Sequence, residues 1–194
     1  MTPIFMSNPV IDQTFENQDF SNQKLPSREY DNCIFINCNF SKTDMSVVTF
    51  LECRFDTCNF NTVMMKETSF QEVTFEACKM LGLDFGTCND FLFEVKFDHC
   101  NLDYISFYGF SMKNTRFNDC SLKEADFTDT NLTGSILSNC NLLGAIFERT
   151  IADKVDFRTS KNFTIDPEIN KLKKARFSAS GLIGLLTKYD LDIE

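Results

Sequence analysis

Apolar residues in this chain recur at every fifth position. From Phe15 the series runs Phe20, Leu25, Tyr30, Phe35, Phe40, Met45, Phe50, Phe55, Phe60, and continues through Phe75 and Met80 to Phe85. After a gap of twelve residues it resumes at Phe97 and continues through Leu102, Phe107, Met112 and Phe117 to Phe157. Two residues before most of these centres stands a small or β-branched residue, such as Cys38, Thr43, Val48 or Cys53. A period of five fits neither the helix, at 3.6, nor the flat strand, at 2. Two inward positions two apart describe a short extended segment, after which the chain must turn and repeat.

A longer period says how many segments make a lap. Cys38, Cys58 and Cys78 are twenty apart, and so are Cys100, Cys120 and Cys140, and the centres Phe35, Phe55 and Phe75. Like residues at that interval predict four pentads per coil, with identical side chains stacked about 4.8 Å apart, the spacing of paired strands. All nine cysteines fall at the small inward phase; Cys88 keeps the first register where its pentad loses its centre. Metal sites group cysteines as CxxC or with histidine, so these are read as reduced, buried core residues. With 22 Phe but seven Gly and four Pro, the turns cannot rest on Gly and Pro alone.

"NCNF", "TCNF", "DCSLKEADF" and "TNLTGSIL" resemble the pentapeptide-repeat proteins, and the resemblance extends over roughly residues 13–160. It implies an all-β fold, a right-handed quadrilateral β-helix whose corners are held by backbone hydrogen bonds. The expected organisation is an N-terminal cap over 1–12, a first β-helix segment over 13–85 and a register break over 86–96. A second segment follows over 97–160, then a C-terminal cap and helix over 161–194. The break carries Asp90 where an apolar centre belongs and can be read as a bend or as a partner-facing loop. In the tail, Asp166–Pro167 suits a turn, Ser180 is a candidate N-cap, and Leu182, Leu185 and Leu186 share a helix face. That helix either blunts the last coil or joins two chains, and the layout resembles the Qnr-like branch, in which a C-terminal helix makes a symmetric dimer.

Little in the chain suggests chemistry. His99, the only histidine, follows a centre by two and should face solvent. There is no glycine-rich phosphate loop, GxSxG or HExxH, and a filled β-helix leaves no pocket. The expectation is a non-enzymatic protein with no cofactor and no metal. No leader-like start or apolar run of membrane length is present, so the expected setting is cytoplasmic, without a membrane.

The net charge of −9 argues against direct nucleic-acid binding. Residues 1–89 hold twelve acidic and six basic side chains. The candidate partner-binding face comprises Glu16, Glu52, Asp56, Glu72 and Glu76 in the first half and Glu124, Asp126 and Asp129 in the second. Seven coils make a rod of roughly 34 Å, with about one net charge per 3 Å against one per ~1.7 Å in duplex DNA. Such a rod suits a basic groove shaped for DNA. The Qnr-like resemblance implies DNA mimicry at a type II topoisomerase, DNA gyrase or topoisomerase IV, and protection from quinolones or a poisoning toxin. An interaction scaffold with another partner is the alternative, since exposed positions are charged anyway.

Overall fold

A computed structural model describes residues 8–192; within the expected N-terminal cap, residues 1–7 lie outside the described part. The chain winds into a right-handed quadrilateral β-helix. One side carries β1 (Val10–Ile11), β3 (Glu29–Asp31), β5 (Thr49–Leu51) and β7 (Ser69–Gln71) as a parallel sheet. The next carries β2 (Thr14–Glu16), β4 (Ile34–Ile36), β6 (Arg54–Asp56), β8 (Val73–Glu76), β9 (Val95–Asp98), β10 (Arg116–Asn118) and β11 (Ile136–Ser138). The remaining two sides are built from single parallel bridges such as Asn39↔Asn59 and Asp44↔Met64. Pairing partners are twenty residues apart, as in Phe35↔Phe55, except across the break, where Phe75 pairs with Phe97.

The core is a set of vertical stacks. Phe15, Phe35, Phe55, Phe75, Phe97 and Phe117 pile up with ring centroids 4.8–5.3 Å apart and planes within 12°. Within a coil the rings meet edge to face, as Phe35 and Phe40 do at 5.5 Å. Both arrangements suit the ring quadrupole better than an eclipsed sandwich. Each fully buried ring contributes about 1.5–3 kcal/mol of transfer free energy.

From Cys33 onward the residue two before a centre is in most pentads also buried. Where it carries a hydroxyl or thiol, that group usually donates to the carbonyl lying one coil below the preceding centre. Thr130 reaches Phe107 O at 2.7 Å, Ser135 reaches Met112 O at 2.6 Å and Cys58 reaches Phe35 O at 3.4 Å. Burial pushes the thiol of Cys53 up to about 12, so it stays protonated and donates to Tyr30 O at 3.3 Å. Cys88, expected in the core, is only half-buried at the break, its thiol likewise pushed up to about 12 by desolvation.

The corners explain the shortage of glycine. The residue two after a centre takes a left-handed conformation in pentad after pentad: Asn37, Val47, Glu52, Thr57 and Glu124 all have φ between 51° and 58°. On two sides of the first half, and also on the β1-bearing side past the break, the turn closes locally, as in Thr43 N donating to Phe40 O at 2.9 Å and Ser135 N to Leu132 O at 2.9 Å. On all four sides corner amides also bond to the next coil, as Asn37 N does to Asp56 O at 2.9 Å. These bonds offset the 1–2 kcal/mol or so that a left-handed L-residue costs.

At the break, a short 3-10 turn (Phe85–Thr87) keeps Phe85 buried, and the extra residues are accommodated on the β1-bearing side alone. Phe93 turns inward against Phe110, 4.8 Å between centroids, whereas Phe91 stays 67% exposed. Beyond Phe157 the ladder gains another rung, with Phe177 stacked on Phe157 at 5.2 Å. Asp166 starts a turn by accepting from Glu168 N at 2.9 Å.

The C-terminal helical segment runs from Ser180 through α1 (Ile183–Leu186) to Tyr189. Its cap differs from expectation: Ser180 already lies inside the first turn, and it is Ser178 Oγ that accepts from Gly181 N at 3.1 Å. The buried contact is made by Gly184, packed on Phe163, with Leu185 against the core; Leu182 and Ile183 are exposed.

Candidate partner-binding surface

The outer surface of the rod is organised in columns. Parallel register puts residues twenty apart directly above one another, so β2, β4, β6, β8 and β9 align Glu16, Ile36, Asp56, Glu76 and Asp98 on one outer column. The adjacent column of the same side holds Thr14, Ile34, Arg54, Thr74, Lys96 and, on β10, Arg116. Arg54 crosses between the columns, its Nη2 lying 3.1 Å from Asp56 Oδ2 and 2.6 Å from Glu76 Oε2. This side therefore alternates in sign.

The adjoining corner is different. Asp12, Asn32, Glu52 and Glu72 occupy successive left-handed positions, and the amides of the first three are tied to the coil above; Glu52 N, for example, donates to Gln71 O at 2.8 Å. Asn32 Nδ2 donates to Asp12 Oδ1 at 2.7 Å, which orients that carboxylate. Among the described residues no cation pairs with Glu52 or Glu72.

The three carboxylates of the second half lie diagonally across the rod. Glu124 sits at the opposite corner, its carboxylate lying over Gly144, where any side chain would collide with it. Asp126 is half-buried and accepts from Thr128 N at 2.8 Å. Asp129 is gripped by Arg149 through two bonds of 2.8 Å, and this hydrogen bonding holds its carboxyl below the usual range. The eight carboxylates thus form two separate groups. Arg54 and Arg149 neutralise part of each; only the second pairing could have been flagged by the twenty-residue period, since Arg149 stands one lap after Asp129.

Other features are modest. Asp98, His99 and Asp119 bring ligand-type atoms within 4.8 Å of one another, all on the surface, a grouping that exposed acids often make. His99 faces outward at a left-handed corner. A shallow cleft of about 380 Å³ lies beside the break, lined by Leu92, Phe93, Val95 and Lys113 among others. Among the described residues no helix is long and apolar enough to cross a membrane.

Comparison with known proteins places this architecture. Models of the pentapeptide repeat region and of pentapeptide repeats match residues 28–91, 92–136 and 125–161. No curated protein matches. Among solved structures, the chain resembles a trypsin-treated variant of QnrB1, a plasmid-mediated fluoroquinolone resistance protein. Identity is 17% over 96% of this chain and 100% of that one, with a TM-score of 0.56. It also matches HetL, a pentapeptide repeat protein involved in heterocyst differentiation regulation in the cyanobacterium Nostoc sp. strain PCC 7120. There identity is 13%, 86% of each chain is covered and the TM-score is 0.39. From the repeat matches and the four-sided coil, the chain belongs to the pentapeptide-repeat family.

Proposed function

We propose that the chain is a non-enzymatic, DNA-mimicking binder of a type II topoisomerase, DNA gyrase or topoisomerase IV. On this reading it protects that enzyme from quinolones or from a topoisomerase-poisoning toxin. The observation that carries the reading is the corner bearing Glu52 and Glu72. Both carboxylates are unpaired among the described residues, both residues hold the left-handed corner conformation, and the Glu52 amide is tied to the next coil. They stand about 4.8 Å apart along the axis, a repeat that a groove built for the regular charges of a duplex can meet. The matched QnrB1 is described as a fluoroquinolone resistance protein and shares this fold. A rod acts by occupying the groove, so no metal, cofactor or bond-making step is invoked. Leu182 and Ile183, exposed at the end of the rod, suit the joining of two chains through the C-terminal helix, which would double the length presented.

The test is a gyrase supercoiling assay with and without a quinolone. The wild-type chain should restore supercoiling in the presence of drug, and Glu52→Lys/Glu72→Lys should not. Failure of the wild-type chain to protect, together with failure of purified gyrase and topoisomerase IV to retain it, overturns the reading. A scaffold for another protein is the second reading, favoured by Arg54 and Arg149, which interrupt the acidic columns.

A further inference from the structure

The β1-bearing side of the rod gathers most of its charges by sign along its length, Arg28 in the first half and Asp153 in the second being the exceptions. Its first half presents Asp12, Asp31, Glu52 and Glu72 on the outer positions. Past the break the same side continues through the bridges Ser111↔Asn131↔Ile151↔Lys171. There the outer positions hold Lys113, Lys154, Lys171 and Lys174. None of these eight side chains makes an ion pair with another described residue. Asp153 lies among the lysines, its Oδ1 accepting from Lys173 N at 2.8 Å.

Between the two halves sits the break, where apolar side chains project beside the exposed carboxylates of Asp90 and Glu94. Phe91 and Leu92 are 67% and 64% exposed, and the 380 Å³ cleft opens next to them. The break is also central. From Val10 the side steps through Tyr30, Phe50 and Phe70 to the Ser69↔Asn89 bridge. From the break it takes as many steps, through Ser111, Asn131 and Ile151, to Lys171. An acidic half, a midpoint with a projecting ring and an adjacent cleft, and a basic half together make a surface whose two ends are complementary in charge.

We propose that this side pairs two copies of the chain antiparallel, about a two-fold axis at the break. A two-fold contact places each residue against the position equally far beyond the axis. Glu72, one rung before the break, meets Lys113, one rung after it. Asp31 meets the rung of Lys154, and Asp12 that of Lys174. Each copy's Phe91 faces the other's cleft. A parallel pairing would set acid against acid and lysine against lysine, so the charges select one orientation. Eight steps of about 4.8 Å and a width of three extended residues give a side of roughly 38 by 10 Å. That is about 400 Å² per copy and about 800 Å² in total, below the roughly 1,000 Å² of a stable specific interface, so the association should be weak, transient and salt-sensitive. The pairing needs no topoisomerase and is separable from the function proposed above, although it would cover Glu72.

Sedimentation velocity of the full chain, from micromolar to about 0.2 mM at low and high salt, tests this. The wild-type chain should dimerise at low salt, with the Kd at least ten-fold weaker at about 0.5 M salt. Asp31→Lys/Glu72→Lys and Lys113→Glu/Lys154→Glu, each made in a chain carrying Leu182→Glu/Ile183→Glu so that the C-terminal helix cannot join two copies, should be monomeric alone, and an equimolar mixture of the two should pair again. Lysine already occupies the left-handed corner at Lys42 and Lys154, so Glu72→Lys keeps the backbone, which circular dichroism checks. A wild-type chain that stays monomeric throughout overturns the proposal. So does a dimer that neither variant alters, which would be joined elsewhere, or a mixture that does not pair.

Discussion

Thr43 donates its hydroxyl to the carbonyl of Phe20, twenty-three residues earlier in the chain, at 2.6 Å. The same step recurs from Thr68 to Met45, Thr150 to Phe127 and Ser160 to Leu137. It joins the two inward positions of the pentad across adjacent coils, and it gives the small position a hydrogen-bonding task in addition to a volume limit. Thr68→Val preserves shape and removes the donor, leaving the buried Met45 carbonyl without this bond. It should cost about 1–2 kcal/mol in urea denaturation. Thr68→Ser keeps the donor and loses one methyl group, at about 0.8 kcal/mol.

The corners make an opposite prediction, a stabilising one. Val47 has φ 58°, a region that a β-branched residue enters only under strain, and its side chain is half in solvent. Asn holds the equivalent place at Asn32 and Asn37 with φ 49° and 51°. Val47→Asn keeps the amide bond to Lys66 O at 2.9 Å and should stabilise by about 0.5–1 kcal/mol. Differential scanning calorimetry should show Tm rising by about 1–4 °C.

Phe55 sits in mid-stack, 4.8 Å from Phe35 and 5.2 Å from Phe75. Phe55→Ala opens a cavity between two rings that the strand register holds in place, so the site cannot collapse. The expected loss is about 3–5 kcal/mol in equilibrium denaturation.

The buried thiols set an alkaline limit. With Cys53 and Cys88 pushed up to about 12 by burial, from an ordinary value of 9.0, the folded chain retains protons that the unfolded chain releases. Their contribution to stability is complete below about pH 9 and is lost as pH rises toward 12. Stability measured by denaturation should therefore be level on this account through neutral pH and fall from about pH 9 upward. A thiol reagent at about pH 8 should modify buried Cys53 only after unfolding, and half-buried Cys88 before it.

Gly184 marks where the C-terminal helix is seated. A side chain there would run into the backbone and ring of Phe163. Gly184→Ala should lift the helix off the last coil while leaving the stacks below it intact. Hydrogen exchange should accelerate over residues 163–189 and stay unchanged around Phe55. Uniform exchange changes along the rod would show that the helix supports the whole solenoid.

Much of the fold was legible because its period is visible in side-chain size. Phe35, Phe55 and Phe75 lie twenty apart and stack, and Cys38, Cys58 and Cys78 fall on the buried phase. Less visible was what depends on hydrogen bonds. The donor role of Thr43 and Cys58 is a property of atoms, not of hydropathy, and Ser178 outcompetes Ser180 as a cap because of where the first turn starts. Phe177 keeps its rung, but Asn162 and Pro167 interrupt the centres before it, which hides it from a simple count. On the surface, the acidic columns could be read off the period. Their neutralisation by Arg54 could not, because it acts across two columns and reaches Glu76 at i+22.

The central claim is that this rod takes the place of duplex DNA, and displacement measures it most directly. A fluorescently labelled duplex bound to the gyrase holoenzyme, and separately to topoisomerase IV, is titrated with the full chain while anisotropy is followed. The account predicts that the wild-type chain releases the duplex from at least one of the two enzymes. Glu52→Lys/Glu72→Lys should then need about ten-fold more protein, near 1.4 kcal/mol. A duplex that stays bound to both enzymes at saturating chain, or one released equally well by the charge-reversed variant, would contradict it.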